Sequence, residues 1–238
     1  MQETLLRWHA ETARDLPWRR RRDPYAVLVS EVMLQQTQVS RVVPRFEVWM
    51  GRWPDLDALA AASPAEVIRG WQGLGYNRRA LALHRTARLV CDSGWPEDLT
   101  SLPGIGPYTA AAIRRFAFGE PVLPADVNVR RVLERTGGSF GPEAAEALMD
   151  LGATVCIARV PRCGACPLAV ACPARGRRYA AERRQGPFEG SFRQRRARTL
   201  RSLAAGPRPA AELDAAALSA LVSDGLAVVA AGEARLPG

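Results

Sequence analysis

Four cysteines stand close together in this chain: Cys156, Cys163, Cys166 and Cys172, in the pattern C-x6-C-x2-C-x5-C. Four thiols in one short segment, in a reducing compartment, favour a bound metal over disulfides. The spacing alone leaves zinc and an iron–sulfur cluster open, because both accept four thiolates. Cys91 stands apart in a helical stretch and is expected to be a small buried apolar residue. Two carboxylates suggest a second kind of chemistry. Glu31 sits among Val27, Leu28, Val29, Val32, Met33 and Leu34. Burial there would raise its pKa and keep a proton available near neutral pH, as a general acid requires. Asp126, in Pro124-Ala125-Asp126-Val127-Asn128-Val129, is the candidate for a carboxylate that stays ionised.

A third element is the turn Leu102-Pro103-Gly104-Ile105-Gly106, followed by Tyr108-Thr109-Ala110-Ala111. Two glycines in a tight turn let backbone approach a ligand closely. The N–H groups of the next helix can then meet a phosphate. That is the pattern of a helix–hairpin–helix clamp on a nucleic-acid backbone, which is independent of base sequence. The formal charge of +9 and a pI near 10.3 fit a polyanionic partner. The sequence contains no lysine, so all 33 of its basic Lys/Arg positions are arginine.

These groups must be held by helices. Residues 5–172 read almost wholly as helix, without period-two alternation. Asp23-Pro24 is a helix start, and Tyr25 to Val39 then reads as one buried helix. Ser63-Pro64-Ala65-Glu66 has the form of a capping box. After Cys172 the composition changes. Residues 175–190 are rich in Arg, Gly and Pro and read as a linker. From Ser191 the pattern is helix, turn, helix, turn, helix and a short hairpin, marked by Leu200, Leu203, Leu213, Leu218 and Leu221, with turns at Asp224-Gly225 and Gly232-Glu233. That outlines a small winged-helix domain. No apolar run reaches the length of a membrane helix, and Met1-Gln2-Glu3-Thr4 lacks a signal-peptide pattern, which implies a cytoplasmic, nucleoid-associated protein.

Hairpin, aspartate and cysteine cluster in this order resemble the endonuclease III superfamily of helix–hairpin–helix DNA glycosylases. Within it, Ser30-Glu31-Val32-Met33-Leu34-Gln35-Gln36-Thr37-Gln38 looks like the MutY-type adenine glycosylases, as do Leu16-Pro17-Trp18-Arg19, Gly73-Leu74-Gly75-Tyr76 and Met149-Asp150-Leu151-Gly152. The resemblance covers about residues 5–172. It implies a mainly α fold, with a six-helix barrel over 25–125 and an iron–sulfur domain from 1–24 and 126–174, followed by the linker and a winged-helix-like domain over 191–238.

It also implies a [4Fe–4S] cluster on the four cysteines, and a monomer that acts on double-stranded DNA holding a mispaired, flipped base, with no membrane partner. The activity implied is hydrolysis of the N-glycosidic bond of adenine opposite 8-oxoguanine or guanine. Glu31 would protonate adenine at N7, and Asp126 would stabilise the sugar cation. Bifunctional members carry a lysine, which forms a Schiff base, where this chain has Tyr108. Gln36 matches a glutamine that wedges into the base stack, and Asn128 an asparagine beside the aspartate. Arg19 and Glu146 match residues of the adenine pocket. Gly104 and Gly106 would hold phosphate, and Asn77 would lie near the opposite base.

The chain departs from the family at Val127, where glycine is usual, and at Asn77, where many members have tyrosine. The segment 135–148 is shorter than in the family, and residues 191–238 are too few and too helical for the Nudix-like domain of typical members. Two other readings remain open at this point: a thymine or uracil glycosylase for G mismatches, and a non-catalytic iron–sulfur DNA-binding regulator.

Overall fold

The structure is a computed structural model of the chain and describes residues 1–180 and 186–238. The helices run α1 Gln2–Thr12, α2 Pro17–Arg20, α3 Pro24–Leu34, α4 Val39–Arg52, α5 Leu56–Ala61, α6 Pro64–Gly70, α7 Arg78–Ser93, α8 Pro107–Phe116, α9 Val127–Thr136, α10 Ala145–Thr154, α11 Phe192–Ala205 and α12 Ala215–Ser223. Three short strands, β1 Arg208–Pro209, β2 Val228–Ala230 and β3 Glu233–Arg235, form one antiparallel sheet in the order β1-β3-β2. No helix among the described residues is long and apolar enough to cross a membrane.

Backbone packing divides the chain into two units, Met1–Val27 with Gly106–Arg184, and Leu28–Ile105 with Gln185–Gly238. In the first, α1, α9 and α10 surround a core of Leu5, Val129, Val132, Leu148 and Leu151, which reaches Cys156 and Leu168. The side chain of Asp126 caps α9 by accepting Val129 N–H, and Gly137 closes the helix with a left-handed φ of 62°. Caps of this kind contribute about 1 kcal/mol each.

In the second unit, the Ser63/Glu66 capping box starts α6 as the sequence predicts. Trp49 meets Trp53 and Trp71 edge-on, with ring centroids 4.5 and 5.4 Å apart. The C-terminal leucines do not form a free-standing core. Leu200, Leu203, Leu218, Leu221 and Leu226 pack with Ile68 of α6 and Leu81 of α7. Arg69 Nε also donates to Ala204 O at 3.0 Å, so the small domain is seated on these helices.

Three sequence expectations change. The Asp23 cap is present, its Oδ1 accepting Ala26 N–H at 2.8 Å. The helix it starts stops at Leu34, however, and a new one begins at Val39, because Gln36 adopts φ 54°, which an α-helix does not admit. Cys91 is exposed, in the last turn of α7, where the helix runs out past its packed stretch at Val90. The middle helix of the C-terminal domain is a single 3-10 turn, Ala210–Glu212, between β1 and Leu213. Residues 181–185 of the expected linker lie outside the described residues.

Candidate active site and nucleic-acid interface

In the first unit, both carboxylate oxygens of Asp126 accept hydrogen bonds. Val129 N–H donates to Oδ1 at 2.7 Å, and Asn128 Nδ2 donates to Oδ2 at 2.8 Å. Asp126 also sits at the N-terminus of α9, where the helix dipole favours an anion. Arg131 extends the chain of bonds: Nη2 donates to Asn128 Oδ1 and to Gly152 O, both at 2.7 Å, and Nε to Cys156 O at 2.8 Å. Gly152 explains part of the motif around it. A Cβ there would lie 2.7 Å from Asn128 Cβ and 2.9 Å from Asn128 O, so any larger residue would displace the asparagine.

The pocket residues expected from the sequence, Arg19 and Glu146, lie 3.8 Å apart, and Arg22 reaches Glu146 at 3.0 Å. The fork of Arg19 is committed elsewhere, to Asp150, with bonds of 2.9 and 2.8 Å. Asp150 also accepts from Arg14 N at 3.0 Å and Arg14 Nε at 2.7 Å, and it lies 3.3 Å from His9 Nε2. Its side chain is 1% exposed. Burial pushes its pKa up, but the hydrogen bonds and charges of Arg19 and Arg14 outweigh this and hold it below the ordinary aspartate value. Asp150 is not among the site residues the sequence suggests. The available signal was an acid on the buried, apolar side of α10 matched by an arginine-rich run at 14–22.

In the second unit, Arg79 joins two loops. Its Nη1 donates to Val32 O, Met33 O and Gln35 O at 2.7, 3.1 and 2.5 Å, and its Nη2 to Thr37 Oγ1 at 3.0 Å and Gly75 O at 3.1 Å. Its guanidinium also lies 5.3 Å from the Tyr76 ring centroid. Burial lowers its pKa to about 10, so it remains a cation at neutral pH. The loops it holds carry two exposed residues in left-handed backbone, Gln36 at φ 54° and Tyr76 at φ 46°. Such conformations in residues other than glycine cost about 1–3 kcal/mol, and persist where the surroundings enforce them. Asn77 follows at the start of α7.

The hairpin is tied to the same loops, because Gln35 Nε2 donates to Gly104 O at 3.2 Å and Thr86 Oγ1 to Pro103 O at 3.0 Å. Gly104 has φ 77°, and a Cβ there would stand 2.9 Å from Ala82 Cβ. Gly106 instead has ordinary backbone geometry and serves as N-cap of α8. Glu31 lies in α3, 7% exposed, one turn before the Gln36 loop, and Tyr108 is half-buried in the first turn of α8. Glu31, Gln36, Asn77 and Gly104 belong to the second unit; Asp126, Asn128, Tyr108, Gly106, Arg19, Glu146 and the cysteines belong to the first.

Cys156, Cys163, Cys166 and Cys172 line one cavity together with Arg135 and Leu151. Arg135 Nη1 lies 3.6 Å from Cys156 Sγ, and its face covers the Tyr179 ring at 3.7 Å. Burial pushes the Cys166 thiol up. Among the described residues no three His, Cys, Asp or Glu side chains meet closely enough to hold a single metal ion.

Residues 29–153 match the model of the HhH-GPD superfamily base excision DNA repair proteins. The chain belongs to the HhH-GPD superfamily. The match spans α3 to α10, and so contains Glu31, the hairpin and Asp126. Among HhH-GPD relatives, the chain is 43% identical to the adenine DNA glycosylase of Mycolicibacterium smegmatis, over 90% of this chain and 85% of that one. It is 40% identical to the adenine DNA glycosylase of Mycobacterium tuberculosis, over 98% of this chain and 92% of that one. That alignment runs over 282 positions against a chain of 238 residues, so this HhH-GPD protein is internally shorter than its relative. The solved structure of a thermostable thymine-DNA glycosylase is 28% identical, with a TM-score of 0.64, over 72% of this chain and 93% of that one.

Proposed function

We propose that the chain is a monofunctional adenine DNA glycosylase that hydrolyses the N-glycosidic bond of adenine opposite 8-oxoguanine or guanine in duplex DNA. The observation that carries the reading is the Asp126 carboxylate, fixed by Val129 N–H and Asn128 at a helix N-terminus, in a chain that also carries a buried Glu31 within Ser30-Glu31-Val32-Met33-Leu34-Gln35-Gln36. The identity of 43% to a protein named adenine DNA glycosylase supports adenine over thymine.

In this reading the base is flipped from the stack and held near the arginine-rich segment 14–22, with Arg19 and Glu146 in its pocket. Gln36, on its enforced left-handed turn, fills the gap in the stack. Glu31 donates a proton to adenine N7, which makes the base a better leaving group. As the bond to the base breaks, positive charge develops on the sugar, and ionised Asp126 stabilises it, with Asn128 keeping that carboxylate aimed. Tyr108 supports the same cation, and water completes the hydrolysis. No lysine in the sequence is available to form a Schiff base, so the strand is left uncut. Gly104 and Gly106 hold backbone phosphate, and Asn77 lies near the opposite base.

The four cysteines fit a [4Fe–4S] cluster. All four line one cavity, and four thiolates are the ligand set such a cluster takes. Cys156, Cys163, Cys166 and Cys172 would hold the cluster, which would order the segment that carries the exposed Arg159 and Arg162. The test is base release from A:8-oxoG, A:G, T:G and U:G duplexes under one set of conditions. Release of adenine from the first two supports the reading, and release confined to T:G or U:G overturns it.

A further inference from the structure

The C-terminal domain has a winged-helix outline, but its charges are placed against the usual use of that fold. The helix that would enter a DNA groove is α12, Ala215–Ser223, which carries no charged residue. Its exposed positions are Ala215, Ala216, Ser219, Val222 and Ser223. None offers the forked donors that read bases or grip phosphate. The hairpin tip, Ala230 to Glu233, has no basic residue either.

The basic charge lies on α11. Two of its arginines serve the fold: Arg195 pairs with Asp214 at 3.4 Å and Arg196 with Asp224 at 2.5 Å. Arg193 is turned to the carbonyls of Gly186 and Pro187. Arg198 and Arg201 are exposed, one helical turn apart on the same face, and among the described residues neither has a carboxylate partner. Arg208, also exposed, follows directly.

The domain is locked in place. Besides the leucine core on Ile68 and Leu81, Asp224 also lies 3.7 Å from Arg78, the residue next to Asn77. Asp224 thus ties α11, through Arg196, to the start of α7 and the Gly73–Asn77 loop. The arginine face, on the side of α11 away from the buried Leu200 and Leu203, is thereby held in a fixed place relative to the loop to which the proposed function assigns DNA.

We propose that α11 is a second, sequence-independent contact to duplex DNA, in which Arg198 and Arg201 each neutralise a backbone phosphate, while α12 reads no base. The inference rests on the DNA-binding reading above for the location of the duplex, and it adds a surface, a partner group and a mode of binding. It also implies that this domain does not discriminate 8-oxoguanine from guanine, because a phosphate contact is the same for both.

The test uses the full chain and the double variant Arg198→Ala/Arg201→Ala, with affinities measured across a salt series on an undamaged duplex and on A:8-oxoG and A:G duplexes. Both side chains are exposed, and alanine is a good helix former, so the variant should fold; its melting temperature checks this. The expected result is weaker binding to all three duplexes, with the slope of log K against log salt reduced by about 2. The affinity ratio between A:8-oxoG and A:G and the single-turnover excision rate at saturating protein should stay as in the wild type. A salt slope equal to the wild-type value overturns the proposal, and so does loss of the 8-oxoguanine preference in the variant. If the wild-type protein excises nothing, the glycosylase reading fails, and the slope on the undamaged duplex still decides this one.

Discussion

Asn128 donates its side-chain amide to Asp126 Oδ2 at 2.8 Å. With Val129 N–H on Oδ1, each carboxylate oxygen has a donor, and the side chain is held in one orientation. Arg131 fixes Asn128 in turn from the other side, and Gly152 packs so close to it that a Cβ there would lie 2.7 Å from Asn128 Cβ. Asn128→Ala should therefore lower single-turnover excision by about ten- to a hundredfold, as loss of a supporting partner typically does, while leaving the melting temperature within a few degrees. Activity equal to wild type would remove Asn128 from the account.

Removing Asp150 should act on stability. Its carboxylate is buried and accepts from Arg14 and Arg19, so Asp150→Asn leaves two guanidinium groups short of their partner. Breaking a buried pair costs about 3–5 kcal/mol; the partial exposure of both arginines sets the expectation at the lower end. The pH dependence has a definite sign. The folded-state pKa of Asp150 lies below the ordinary value of 3.8, so its stabilisation is fully present above that value and is lost as pH falls through the lower, folded one. Melting curves of wild type and Asp150→Asn should differ most near neutral pH and begin to converge only once pH falls below the ordinary value of 3.8. A gap that persists unchanged into acid contradicts this.

Four iron atoms per chain, within the error of metal analysis, are expected in anaerobically purified protein, with the yellow-brown colour of an iron–sulfur cluster. Stoichiometric zinc without iron would reject the cluster. Cys163→Ser is expected to lower iron content and to expose the 156–172 segment to protease.

Borohydride should trap little covalent protein–DNA product on an A:8-oxoG duplex, because the sequence has Tyr108 where a Schiff-base lysine would stand and contains no lysine at any position. Efficient trapping coupled to strand nicking contradicts the monofunctional reading.

Helix starts were legible because capping chemistry is local. Asp23 and Ser63 each announce a helix through a side-chain oxygen three residues ahead of the N–H it accepts, whereas the cap at Asp126 was not read from the sequence. The hairpin was legible because Gly104 needs a left-handed φ. Less visible were features that depend on distant partners. The break between α3 and α4 lies inside an apolar-polar run with no proline or glycine, and it is held by Arg79, more than forty positions away. Asp150 owes its role to arginines more than 130 positions earlier in the chain. The seating of the C-terminal leucines on Ile68 and Leu81 is likewise a tertiary matter that a leucine pattern does not specify.

Single-turnover excision from an A:8-oxoG duplex, with the released base identified, tests the central claim most directly. Wild-type protein should release free adenine and leave an intact strand with an abasic site. Glu31→Gln and Asp126→Asn should each slow that release by about 10²- to 10⁴-fold while binding the duplex with near wild-type affinity, since phosphate contacts supply most of the affinity. Release of adenine by either variant within a fewfold of wild type, or release of a pyrimidine from a T:G or U:G duplex in place of adenine, would contradict the account.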